Sequence, residues 1–396
     1  MEYKLNFVAD RVIKRRIYPA FAKWSAYPYT QEWRQFEQHW PYTVPLRLQE
    51  YCDTEHIMID TYAMDDQLPN NSFYPVGLGF FDFGIDYFAL MSKDLVRRLR
   101  QEQLRVLFYY HEGDNPFRIK DRLDELCQNH LMPSDCYVFV SGNSAANQLP
   151  GFVYFSDFEQ WYLHRNHNQG ALAIHSEPRE RDFTALSRLH KSWRATAMTD
   201  MLCHHILDNS YWSYCETGAL NDEDNPIEID SIDNLRVSTK KFLENGPYVS
   251  DELNNDDRND HAKVESKYFV NAYCNIVLET HFDADQSGGA FITEKTYKPI
   301  KHGQLFFIIG APGSLQVLRE LGYRTFDHVL DNSYDLEQNN TRRWIKLRNA
   351  IANAQMNLPT LFEQARDDII HNQQLFLAQK STRLNNLIKE IYEQHN

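Results

Sequence analysis

The sequence predicts an α/β protein made of two Rossmann-like domains that face each other across a cleft, and three observations lead there. In the first half of the chain, apolar runs of strand length such as RVLFYY (105–110) alternate with segments of helical periodicity. The alternation restarts after a polar segment, HSEPRERD (175–182). Late in the chain an apolar run, LFFIIG (305–310), breaks at once into Ala311-Pro312-Gly313. Strands that alternate with helices build a mainly parallel sheet with helices on its faces. At 396 residues the chain is too long for one ordinary core and suits two. A ligand is then expected at the carboxyl ends of the strands, where open α/β sheets bind.

Taken in order, HIMID (56–60), DYFALM (86–91), RVLFYY and CYVFVSG (136–142) read as strands, with helices over 92–104 and 118–130 between them. GFVYFSDFEQWYL (151–163) continues as strand then helix. The division into domains is placed between residues 178 and 179. FTALS (183–187) opens the second domain as a strand, followed by a long helix over RATAMTDMLCHHILDN (194–209) and then by WSYC. FVNAYCNIVLETH (269–281) leads to Gly288-Gly289 and to FITEKTYKPIKHGQLFFIIGAPGS (291–314). SLQVLRELG (314–322) reads as a helix closed by Gly322, and TFDHVLD (325–331) as a short strand. From Asp335 onward the pattern is nearly all helical, and residues 366–396 are set apart as carboxyl-terminal helices that return to the first domain.

The formal net charge of −14 argues at first against a phosphate-rich partner. Residues 216–260, however, hold thirteen Asp or Glu against four Lys or Arg, a net of −9, which leaves −14 + 9 = −5 for everything else. That stretch has weak periodicity and many turn formers, and reads as a solvated, loop-rich acidic insertion within the second domain (179–365). Its carboxylates lack the spacing of a calcium loop.

No run approaches the ~20 apolar residues of a membrane-spanning helix, and the amino terminus lacks the apolar middle of a signal peptide, so no membrane segment and a cytoplasmic location are expected. The six cysteines fall without CxxC spacing, as reduced thiols do, and no metal site is expected from them. His204-His205 and the His164/His167 pair read as surface or core residues rather than as ligands. Neither GxxxxGK(S/T) nor GxSxG occurs, which disfavours a P-loop ATPase and a serine-elbow hydrolase.

The stretch FITEK carries the sharpest chemical signal. Thr293 suits an N-cap, so Glu294 and Lys295 would open a helix whose free N–H groups and positive dipole end favour an anion such as a diphosphate. Lys295 would add a full charge and Glu294 could accept hydrogen bonds from a hydroxyl pair, while Gly288 and Gly289 permit close backbone approach. A capped surface helix with an ordinary Glu-Lys pair is the plainer reading of the same spacing. Arg188, His190, Lys191 and Arg194 crowd positive charge where a strand turns into a helix, a second hold on a diphosphate or simply a solvated basic helix start.

This stretch resembles the donor-binding motif of α-1,3-fucosyltransferase-like enzymes, (F/Y)-x-(T/S)-E-K-(L/T)-(Y/W) leading to a strand that ends in Gly-(Ala/Ser)-Pro; here NIVLETHF (275–282) precedes FITEKTYKPIKHGQLFFIIGAP. Glycosyltransferase-like proteins encoded by bacteriophages are similar over a longer span, including GSLQVLRELGYRTF, and SRLHKSWRATAMTDMLCHHILDNSYWSY (187–214) is similar to the segment that opens their second domain. In the first domain, LFYYHEGDNPF (107–117) resembles a family strand ending FYTGENxxPNF, which places Glu112 on the family's general base. His111 stands where the family has glycine and the following spacing is shortened, so Asp114 remains a rival base.

The resemblance implies a GT-B glycosyltransferase that moves a sugar from a nucleotide-diphosphate sugar to an acceptor hydroxyl, inverting and metal-independent, with no cofactor. Residues 1–178 would be the acceptor side and residues 179–365 the donor side. The acceptor would be the hydroxymethyl group of a modified base in phage DNA, in the host cytoplasm, or a cell-surface glycan. For DNA, the basic cluster Lys14, Arg15 and Arg16 within KLNFVADRVIKRRIYPAFAKW (4–24) is the best local groove, with a charged helix end as the plainer reading. The aromatic-rich PNNSFYPVGLGFFDFG (69–84) would serve as an acceptor platform or as ordinary packing. The competing readings are a non-catalytic nucleotide-sugar or glycan-binding protein and a structural DNA-binding protein.

Overall fold

A computed structural model describes residues 4–9, 46–64, 66–79, 81–166, 174, 178–249, 266–379 and 381–394. The chain separates into two compact units, Met1–His164 with Gln379–Asn396, and Arg165–Ala378. The second unit thus begins at Arg165, and the carboxyl-terminal segment grouped with the first unit begins at Gln379.

Among the described residues the first unit carries a six-stranded sheet of β1 (Leu5–Ala9), β2 (Ile59–Ala63), β3 (Ser72–Leu78), β4 (Arg105–Tyr110), β5 (Tyr137–Ser141) and β6 (Phe152–Tyr154). The strand order is β2-β1-β3-β4-β5-β6 and every pairing is parallel. Uninterrupted apolar runs such as β5, buried along its whole length, are what a sheet covered on both faces demands. The helix Thr382–Glu393 completes this core with Leu384, Leu387, Ile388 and Ile391, and Arg383 pairs with the buried carboxylate of Glu159 at 2.5 Å.

The second unit carries β7 (Arg181–Ser187), β8 (Ser210–Tyr214), β9 (Ala272–Leu278) and β10 (Leu305–Ile309), all parallel, in the order β10-β9-β7-β8. Each sheet thus places its second strand outside its first and sends its third to the other side. That reversal makes a topological switch point, between β1 and β3 in the first unit and between β7 and β9 in the second. Both units are parallel α/β folds of the Rossmann-like kind.

Several expectations need correction. Residues 86–91 form turns, not a strand: Asp86 Oδ1 accepts from the Ala89 backbone N–H at 2.9 Å, and Ser92 then caps the helix Lys93–Arg100. The strand of that region is β3, inside the aromatic-rich stretch, where Pro75 and Gly77 argue against a central strand. It is tolerated because β1 pairs with β3 only at Ser72 and Phe73, so Pro75 lies beyond that ladder. Residues 325–331 also form turns; Phe326 has φ 62°, outside any strand, and Asn332 donates to the Thr325 carbonyl at 2.7 Å. The helix expected over 194–209 is Ser192–Cys203, ended before His205 at φ 60°. The acidic insertion contains the helix Leu235–Asn245 with Leu235, Thr239, Phe242 and Leu243 buried, and Arg236 binds the carboxylates of Asp222 and Asp230. The amino-terminal basic segment starts as β1; Lys14, Arg15 and Arg16 lie outside the described residues. Among the described residues no helix is long and apolar enough to cross a membrane.

Candidate functional site

In the second unit the switch point is built around one carboxylate. β9 is buried over all seven residues and ends at Leu278, so the next side chain, Glu279, emerges at the carboxyl edge of the sheet, fully buried. Its carboxylate accepts from the Thr293 N–H at 3.0 Å, the Thr293 hydroxyl at 2.6 Å, the Thr296 hydroxyl at 2.7 Å and the Thr280 N–H at 3.3 Å. A buried carboxylate persists only when its oxygens are satisfied in this way. The result pins the start of the helix Glu294–His302 to the end of β9. Thr293 is the N-cap, its hydroxyl oxygen accepting from the Lys295 N–H at 3.4 Å, as the sequence pattern implied.

Two lysines meet at the residue after that carboxylate. Lys191 Nζ donates to the Thr280 carbonyl at 2.6 Å, and Lys295 Nζ donates to the Thr280 hydroxyl at 3.1 Å and the Thr293 hydroxyl at 2.9 Å. Lys191 is the N-cap residue of the helix Ser192–Cys203 that follows β7, so the two ammonium groups arrive from the two strands flanking the switch point. Lys295 lies 3.6 Å from Glu294 and 3.9 Å from Glu279, and its side chain is 28% exposed against 4% for Glu294. The lysine, not the neighbouring glutamate, is the member of the pair that solvent and ligands can reach.

Arg194 and His190 are spent inside the protein. The Arg194 guanidinium donates to the carbonyls of Glu279 at 2.6 Å, Leu278 at 3.3 Å and Leu189 at 3.2 Å, so it fixes the end of β9. Burial pulls its pKa down to about 10, with Glu279 acting in the opposite direction. His190 places Nδ1 2.9 Å from the Tyr214 hydroxyl and Nε2 3.1 Å from the Ala219 carbonyl. A Cβ at Gly218 would stand 2.5 Å from the His190 ring, so that ring fills the space a side chain there would need. Arg188 is half-buried, and its charge acts on Arg194. Gly288, at φ 67°, caps the short helix Ala284–Ser287, and half-buried Gly289 follows it toward Thr293.

In the first unit, β4 carries its reactive residues to the carboxyl edge of the first sheet. Asn115 caps and Pro116 opens the helix Pro116–Asn129, which stops the strand and leaves residues 111–114 as the edge loop. Gly142 N–H donates to the Glu112 carbonyl at 3.2 Å and Asn143 Nδ2 to the Gly113 carbonyl at 2.9 Å, so the loop is held from β5. The Tyr110 hydroxyl donates to Asp114, whereas Glu112 Oε1 lies 3.4 Å from His111 Nε2. Burial, with Asp114 second, pushes the Tyr110 phenol far up, so it stays a donor. Beside the loop, Asp157 is buried and accepts from Arg47, from Tyr109 and from Tyr51 at 3.3 Å, while Arg47 lies over the rings of Phe158 and Trp161.

Glu279, Thr280, Thr296, Arg47 and Asp157 were missed by sequence reasoning. Glu279 had a signal, a lone carboxylate directly after an unbroken apolar run; Arg47 and Asp157 had none, being separated by 110 positions. Among the described residues no three His, Cys, Asp or Glu side chains gather as a metal-binding group. His204 and His205 face Asp200 and Asp208, and His164 is 3.4 Å from the Thr54 hydroxyl; His167 lies outside the described residues.

No protein-family model matches the chain, and no curated protein matches it. Among solved structures, T4 phage BGT in complex with UDP and Mn2+ is similar, with 10% sequence identity and a TM-score of 0.41, over 98% of this chain and 99% of that one.

Proposed function

We propose that the chain is a nucleotide-sugar-dependent glycosyltransferase whose second unit holds the donor. The observation that carries this reading is the meeting of Lys191 and Lys295 at Thr280, on the switch point of the second sheet and at the start of a nine-residue helix. Arg188, Lys191, Arg194 and Lys295 against Glu279 and Glu294 leave 4 − 2 = +2 at this edge. That excess matches the two negative charges that the diphosphate of a nucleotide sugar brings, and the positive dipole end of the helix adds to it as a third develops on the leaving group. Stabilising the leaving group with fixed cations makes the reaction metal-independent. Glu279 and Arg194 act one step back: they hold the loop on which the two ammonium groups rest.

The first unit supplies the general base in the loop after β4, with Glu112 favoured because its side chain is 34% exposed. An inverting transfer needs such a group to take the acceptor proton as that oxygen attacks the anomeric carbon. The acceptor is a hydroxymethylated base of phage DNA or a glycan hydroxyl, and a cytoplasmic setting goes with either.

A thermal-shift panel of GDP, UDP, CDP and ADP and their sugar conjugates, with and without EDTA, tests the reading, since a ligand of the native state raises Tm. A selective shift that EDTA leaves unchanged and Lys295→Ala removes is expected. A nucleotide shift without sugar transfer to any acceptor would leave a nucleotide-sugar-binding protein; no shift at all would overturn the donor site.

A further inference from the structure

The base of the proposed transfer has a partner in the edge loop that follows β4. His111 is mostly buried, its side chain 15% exposed; its ring packs 6.2 Å from that of Phe158, and Nε2 lies 3.4 Å from Glu112 Oε1. Among the described residues nothing hydrogen-bonds its other nitrogen, Nδ1. Nearby, Asp114 accepts the Tyr110 hydroxyl, and Arg47, whose charge reaches Glu112, is paired with Asp157. An imidazole at ion-pair distance from a carboxylate, with its second nitrogen unused among the described residues, is the arrangement in which the ring takes a proton and the carboxylate offsets the imidazolium charge. Histidine is the side chain most often placed to take a proton from a reacting group.

We infer that His111 and Glu112 act as one general-base unit, with His111 Nδ1 as the atom that receives the acceptor proton and Glu112 as the residue that orients and stabilises the ring. This rests on the glycosyltransferase reading. In the step, the acceptor O–H bond breaks and its proton passes to Nδ1, while the oxygen's electron pair forms the bond to the anomeric carbon. The bond from that carbon to the diphosphate oxygen breaks, and its pair leaves on the nucleoside diphosphate. The imidazolium then returns its proton to water.

Release of nucleoside diphosphate from the UDP-, GDP-, CDP- and ADP-sugars is measured with three acceptors: water, duplex DNA containing 5-hydroxymethylcytosine, and a galactose-terminated oligosaccharide. His111→Gln and Glu112→Gln are each expected to lower kcat by about 100-fold or more, with donor KM little changed and the double variant no worse than the poorer single one. In His111→Gly, added imidazole should restore part of the lost rate, which a purely structural role for the ring would not allow. Turnover by wild type that His111→Gln leaves intact, or a Glu112→Gln loss without a His111→Gln loss, overturns the shared base and leaves the glycosyltransferase reading standing. No release by wild type from any donor overturns both.

Discussion

Glu279 accepts the Thr293 hydroxyl at 2.6 Å, and through that bond the end of one strand fixes the start of the helix fourteen positions later in the chain. Removing the carboxylate leaves two buried hydroxyls and two N–H groups without their acceptor. Glu279→Ala is expected to lower stability by about 3 kcal/mol, and Thr293→Ala, which loses the cap, by about 1 kcal/mol. Urea unfolding followed by circular dichroism measures both; an unchanged midpoint for Glu279→Ala would show that the network does not hold the site together.

Lys191 and Lys295 both rest on Thr280, so their contributions to anion binding should be comparable and linked. Each charge-assisted contact to a diphosphate is worth about 1.5–3 kcal/mol, so Lys191→Ala or Lys295→Ala should weaken nucleotide binding roughly ten- to a hundred-fold. Binding should also weaken as salt rises, because the cations are partly exposed. Calorimetric titration of the nucleotide found by the panel decides the matter: wild-type affinity in both variants would place the anion elsewhere.

His302 gives the second unit a pH dependence. It is 4% exposed and its pKa is pulled down from 6.5 to about 4, by burial first, although its Nδ1 lies 2.8 Å from the Lys298 carbonyl. Between those two values the unfolded chain binds the proton and the folded one does not, so stability rises with pH across the window and is lost as pH falls through it. The span corresponds to at most about 3 kcal/mol. Unfolding at pH 7 and pH 5 should show the loss, and His302→Gln should flatten it; equal slopes in both proteins would refute the assignment.

The helix Thr382–Glu393 lends Leu384, Leu387, Ile388 and Ile391 to the core of the first unit. Four buried aliphatic side chains at about 2 kcal/mol each come to about 8 kcal/mol, comparable to the whole stability of a domain. A chain ending at Ala378 should therefore have an unfolded first unit, seen as rapid amide exchange across β3 to β6, while β7 to β10 keep their protection. Full protection in the first unit would show that the helix is dispensable.

Local pattern was enough for much of this protein. Apolar runs flanked by caps and turn formers located β4, β5, β7 and β10, because a strand buried on both faces has little freedom in composition. Thr293 announced its helix, because an N-cap bonds within its own turn. Where side-chain hydrogen bonds or a single left-handed residue decide, at Asp86 and Phe326, the same apolar runs misled. β3 was hidden by Pro75, whose acceptability depends on which neighbour it pairs with. Strand order, the two switch points, and the roles of Glu279 as anchor and of Arg194 and His190 as internal braces came only from the tertiary structure. They depend on which distant segments lie side by side, and a bond such as Arg47 to Asp157, 110 positions apart, leaves no trace in local periodicity.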